Sequence, residues 1–136
     1  MNTQVIFLNT PTPNAKIERL IAALQDHYLR GERSLVLVPN QEAAQFLDAL
    51  LWKAPEESFM PHQIVQGASN SPIAISLTTQ NHNNASMLLN LQSEVPSFWN
   101  AFATVYELMD GTHPNKLQAA QSRLQHYKNA NANVLV

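Results

Sequence analysis

The sequence predicts an α/β fold with parallel pairing and about five strands, and three observations carry that reading. Short continuous apolar runs alternate with stretches of helical spacing, the joins carry cap and breaker residues, and the cycle completes twice within about fifty residues. Val5-Ile6-Phe7-Leu8 is the first run, consistent with a strand buried on both faces. Pro11-Thr12-Pro13-Asn14 interrupts it, with Asn14 as the expected N-cap. Ile17, Leu20, Ile21, Leu24 and Tyr28 then recur at helical spacing, and Arg30 and Gly31 signal the helix end. Leu35-Val36-Leu37-Val38 is the second buried run. Pro39-Asn40 turns the chain into another helix, whose expected apolar face is Ala43, Phe46, Leu47, Leu50 and Leu51.

The second half is patterned less sharply. Ile73, Ile75 and Leu77 alternate with small residues, which reads as a strand, and Met87-Leu88-Leu89-Asn90-Leu91 reads as the next. Thr104 to Met109 fits a fifth strand or part of a helix beginning near Ser97. Pro114-Asn115 opens a last helix with Leu117, Ala120, Leu124 and Tyr127 on one face. No internal repeat or linker divides the 136 residues, so residues 1–136 are expected to form one domain.

Composition narrows the function classes. Charged residues are 13% of the chain, against a usual figure of about a quarter, so Asn, Gln, Ser and Thr carry much of the polar surface. Net charge is −2, and the eight Lys and Arg residues are scattered, which argues against direct gripping of a nucleic-acid backbone. Cysteine is absent, excluding disulfides, thiolate nucleophiles and Cys-based zinc sites. The first residues lack a basic region followed by a long apolar run, and no stretch approaches the roughly 18 apolar residues of a membrane span. A cytoplasmic protein without membrane contact is the expectation.

An α/β opening invites a nucleotide site, yet the glycines for one are missing. Gly31, Gly67 and Gly111 are the only three, and neither GxGxxG nor GxxxxGK[ST] occurs. Gly67-Ala68-Ser69-Asn70-Ser71 lacks the second glycine of a nucleophile elbow. Among the five histidines no two have the spacing of a helical ligand pair. Asp110 and His113 flank Gly111 in what reads as a surface turn, and Glu56-Glu57 reads as solvated surface. Neither a catalytic residue, nor a metal site, nor a cofactor is expected.

One segment stands apart. Leu51 to His62 sets two large aromatics, Trp52 and Phe59, around Pro55 and Pro61, which stiffen the backbone. A stiff turn presenting a Trp and a Phe offers apolar area to a partner at low entropic cost. The alternative is that Trp52 closes the helix against the core while Phe59 plugs its end. The residues Trp52, Pro55, Glu57, Ser58, Phe59, Pro61 and His62 match, in order and spacing, the L-W-x-x-P-x-E-S-F-x-P-H stretch of the DNA polymerase III chi subunit family. The resemblance continues upstream through Gly31-Glu32-Arg33-Ser34 and the following strand, and through Gln41, Ala43 and Ala44.

The resemblance implies a Rossmann-like three-layer α/β/α sandwich with a mostly parallel, mixed sheet and no nucleotide chemistry. It implies a non-catalytic accessory subunit that pairs with the psi subunit of the clamp loader, binds the acidic C-terminal tail of single-stranded DNA-binding protein, and also meets a helicase-like repair protein. By the same resemblance Trp52 and Phe59 face psi, with Pro61 and His62 shaping the turn. The tail site falls on the last helix, where Gln121, Leu124 and Gln125 stand at positions typically Arg, Tyr and Lys, while Arg123, Tyr127 and Lys128 keep the general character. Lys116 is an alternative source of the cation that such a tail requires. Two other classes remain beside this reading: a small α/β nucleotide-binding enzyme, and a protein-interaction domain outside replication.

Overall fold

The computed structural model describes residues 2–136, which form seven strands and three α-helices in the order β1 (Gln4–Thr10), α1 (Pro13–Leu29), β2 (Ser34–Leu37), α2 (Gln41–Trp52), β3 (His62–Ile64), β4 (Ile73–Ser76), β5 (Met87–Asn90), β6 (Thr104–Asp110), α3 (Pro114–Asn129) and β7 (Asn133–Leu135). The strands make one sheet in the order β3-β4-β2-β5-β6-β1-β7. Every pair is parallel, so the sheet is not mixed, and it has two strands more than the apolar runs foretold. The additional strands, β3 and β7, are the two edges. Each is three residues long and incompletely buried, too short and too polar to show a period.

The inner strands β2, β4 and β5 are buried at every position, as continuous apolar runs should be when both faces are covered. On one face α1 and α2 pack Leu20, Leu24, Ala44, Leu47 and Leu51 against Val36, Ile73, Ile75, Met87 and Leu89. On the other face Tyr127 of α3 joins Phe102 and the β5–β6 connection in covering Val5, Phe7, Leu35, Leu88 and Val105. The result is the three-layer sandwich.

Local details depart from the sequence reading for physical reasons. The N-cap of α1 is Thr12 rather than Asn14: its hydroxyl accepts from Ala15 N, and Pro13 occupies the first turn, where a missing N–H costs nothing. Asn40 caps α2 in the same way, and Gly31 takes φ +74° just beyond α1. Phe46 is not part of the buried face of α2 but 62% exposed. The segment 104–110 is a strand, seven residues aligned with all of β1, and the helix considered near Ser97 shrinks to a 3₁₀ turn at Trp99–Ala101. β4 stops at Ser76 and β5 at Asn90, one residue short of Leu77 and Leu91, because Ser76 and Asn90 turn their side chains back onto the chain.

Among the described residues, one ion pair is buried at both partners. Glu107, on β6, is wholly buried and is met by Arg123 Nε on Oε1 (2.8 Å), and by the Tyr127 hydroxyl (2.6 Å) and Asn90 Nδ2 (2.9 Å) on Oε2. Burial pushes the Glu107 carboxyl up, against the pull of Arg123 and of the three hydrogen bonds. Burial and the neighbouring carboxylate push the Tyr127 phenol far up, so it stays a donor. Arg123 also donates to the carbonyls of Ser93 and Leu108, which ties α3 to the β5–β6 connection and to β6. Removing one member strands the other in a dry interior. Arg123→Met is expected to cost about 3–5 kcal/mol in urea unfolding. The double change Glu107→Gln with Arg123→Met should cost less than Arg123→Met alone; equal or greater loss would show that the pair is not coupled.

Candidate partner-binding surface

The turn that follows α2 is shaped by where its apolar side chains go. At the helix end Leu51 is buried at 1% exposure while its neighbour Trp52 points outward, 63% exposed. Lys53 and Ala54 close the helix with N–H bonds to the carbonyls of Leu50 and Leu51. Pro55 then leads into a 3₁₀ turn at Glu56–Ser58, whose two glutamates are exposed, and Phe59 returns the backbone to an extended conformation. Met60 drives inward to 2% exposure and joins the α1–α2 core, so the turn is pinned between two buried residues, Leu51 and Met60. The sequence reading missed Met60, because a single apolar residue between Phe and Pro has no period to reveal it.

Pinning at both ends brings three rings together. Trp52 lies 5.1 Å from Phe59 and 5.2 Å from His62, and Phe59 lies 5.5 Å from His62, centroid to centroid. These distances are those of attractive aromatic pairs. His62 is the base of the cluster, its side chain fully shielded. Its Nδ1 lies 2.8 Å from the Met60 carbonyl, which accepts its proton, and its Nε2 faces Asp48 Oδ1 at 3.3 Å, off the axis of a good hydrogen bond. Phe59 is half-buried, and Pro61 is exposed at the rim. Each alternative for the aromatics therefore holds in half: Phe59 packs, while Trp52 does not close the helix against the core but is displayed upon Phe59. A cavity of about 290 Å³, lined by Ile21, Leu50, Ala54, Pro55 and Met60 among others, adjoins the turn. Such a surface can hold an apolar partner, with His62 shielded beneath the displayed ring.

The last helix divides its residues between two faces. Arg123 and Tyr127 point into the sandwich, held by Glu107, so Arg123 is not a solvated helix end and Tyr127 is a core residue. Gln121, Leu124, Gln125 and Lys128 follow one another at helical spacing; Leu124 is half-buried and the other three are exposed. Gln125 spends its amide on Asn129 (2.9 Å). Arg123 and Tyr127 thus do not join the other four.

The β1–α1 turn, where a nucleotide fold would cradle phosphate, is poor in donors. Pro11 and Pro13 have no N–H, and Ala15 N is bonded to the Thr12 side chain. Asp110 is buried, not at a turn surface: its carboxylate takes Lys16 Nζ (2.8 Å) and both donors of Thr112. Burial raises that carboxyl, but these bonds and the Lys16 charge hold it below its ordinary value. His113 accepts from Asn115 N and caps α3. No helix of the described residues is long and apolar enough to cross a membrane.

Trp52 and Met60 should behave oppositely on substitution. Trp52→Ala removes only ring contacts and should cost no more than about 1.5 kcal/mol. Met60→Ala empties a core position and should cost about 2–5 kcal/mol in the same urea titration. The reverse order would place Trp52 among the structural residues.

Comparison with known proteins identifies the family. The family model described as DNA polymerase III chi subunit, HolC, matches residues 2–134. DNA polymerase III subunit chi of Pseudomonas aeruginosa is 27% identical over 128 residues, covering 93% of this chain and 89% of that one. The protein of the same name from Haemophilus influenzae is 27% identical over 111 residues, covering 76% and 77% of the two chains. That of Escherichia coli is 25% identical over 122 residues, covering 87% and 82%. With the family model matching residues 2–134, this parallel α/β/α sandwich belongs to the DNA polymerase III chi subunit family.

Proposed function

We propose that this chain is a non-catalytic adaptor in DNA replication, bridging the clamp loader, through the psi subunit, to single-stranded DNA-binding protein. Membership of the chi family supports an accessory role in the polymerase III assembly. The observation that carries the finer reading is Trp52, 63% exposed and supported from beneath by Phe59 and His62. An exposed Trp costs a protein solubility unless a partner covers it, and a pre-stacked ring loses little entropy when covered. Psi is assigned to this face, with Trp52 and Phe59 as the anchors and Pro61 and His62 holding the turn. A helicase-like repair protein is a further partner in this reading.

The tail of single-stranded DNA-binding protein is the second partner, carrying an apolar end and carboxylates. On the last helix Gln121, Leu124, Gln125 and Lys128 offer it one half-buried apolar side chain and one cation. Arg123 and Tyr127 support that helix from inside, through Glu107.

The test of the psi-facing role is calorimetric titration of psi from the same organism into the wild-type chain and two variants. Trp52→Ala and Phe59→Ala should each weaken binding by about 2 kcal/mol or more while the far-ultraviolet dichroism is unchanged. Unaltered affinity in a folded variant would remove that residue from the interface.

A further inference from the structure

One buried titratable ring lies directly beneath the displayed tryptophan, and its neighbours constrain how many protons it carries. His62 is wholly shielded, and its Nδ1 lies 2.8 Å from the Met60 carbonyl. A carbonyl oxygen can only accept, so the proton of this bond belongs to Nδ1. In a neutral ring Nε2 is then a bare lone pair, standing 3.3 Å from Asp48 Oδ1 with no hydrogen-bond partner. Two acceptors opposed in this way repel, and the one inside the protein has no water to turn to.

A second proton on the ring removes the conflict. An imidazolium donates from both nitrogens, Nδ1 to Met60 and Nε2 toward Asp48, and the contact becomes an ion pair. Asp48, 33% exposed, keeps room to turn onto that proton. Imidazole is more basic than a carboxylate that water still reaches, so the shared proton rests on the ring. No other charge competes for it. The strand paired with β3 is β4, which contains no titratable side chain. Lys53, Glu56 and Glu57 are exposed, and none of them forms an ion pair with His62 or Asp48 among the described residues.

The pair lies where it can act on the display. Asp48 and Trp52 are one helical turn apart on α2, so they share a face. The rings of Trp52 and Phe59 lie 5.2 and 5.5 Å from that of His62, within the roughly 6 Å at which a cation attracts an aromatic ring.

We propose that Asp48 is a positioning residue of the aromatic turn: it keeps a second proton on His62, and the charged ring fixes Trp52 for its partner. Partner binding then depends on pH through a residue that the partner need not touch. This inference rests on the reading of Trp52 as the anchor for psi.

The experiment is calorimetric titration of psi from the same organism into the whole chain at about pH 6 and about pH 8, which brackets the charge change of a histidine. Wild-type affinity should be about fivefold higher at the lower pH. Asp48→Asn, whose amide can donate to a neutral Nε2, should lose that difference. The same pH profile in both proteins, with Trp52→Ala still weakening binding, would overturn the positioning role and spare the psi-facing one. Magnetic-resonance shifts of the His62 ring nitrogens in the chain without psi, at about pH 6, read the proton directly. Both nitrogens should be protonated in the wild type and Nε2 bare in Asp48→Asn. A bare Nε2 in the wild type would overturn the proposal whatever psi does. Unaltered affinity in Trp52→Ala would remove the psi-facing role, and the pH-dependent contact with it.

Discussion

A carboxylate with no access to water organises half of this molecule. Glu107 lies in the middle of β6, and its two oxygens gather Arg123 and Tyr127 from α3 and Asn90 from the end of β5. Asn90 in turn caps the start of the β5–β6 connection, and Arg123 holds the carbonyl of Ser93 within it. A purely apolar interface would let α3 slide or rotate on the sheet at little cost. A buried ion pair in which every nitrogen and oxygen has a partner allows one docking position, since any other leaves a charge unpaired in low dielectric. The sandwich thereby acquires a fixed third layer from a helix whose own apolar face is small.

That rigidity bears on how the opposite end of the fold can work. The aromatic turn is rooted in the α1–α2 layer by Leu51 and Met60, two residues buried to 2% or less. Trp52 gains its orientation from Phe59 and His62, and His62 gains its own from the Met60 carbonyl. Each display residue is therefore supported by one that is not displayed. A surface built this way presents its anchor before a partner arrives, which suits the adaptor role proposed.

How much of this was legible in the sequence follows from how each feature is encoded. β1, β2 and the first two helices were readable because continuous apolar runs and helical spacing are local signals. β3 and β7 were not, since three residues carry no period and their pairing depends on strands far away in sequence. Parallel pairing at every step could not be distinguished from a mixed sheet, because direction is set by connections that cross the sheet. The turn at 51–62 was found from its aromatics and prolines, and each of the two readings made of it holds for one residue, with Trp52 displayed and Phe59 packed. The inward turn of Arg123 and Tyr127 was hidden, because their partner Glu107 lies sixteen and twenty residues away in an apolar-looking strand. Phe46 misled, since helical spacing places it near the buried stripe while the fold leaves it 62% exposed.

The account turns on the aromatic turn being the face that a partner covers. Hydrogen exchange read by mass spectrometry, on the free chain and on its one-to-one complex with psi, tests this most directly. The account predicts slowed exchange in the peptides spanning 51–62 and little change along α3. Protection confined to α3 or to the β7 edge, with 51–62 exchanging as in the free chain, would contradict it.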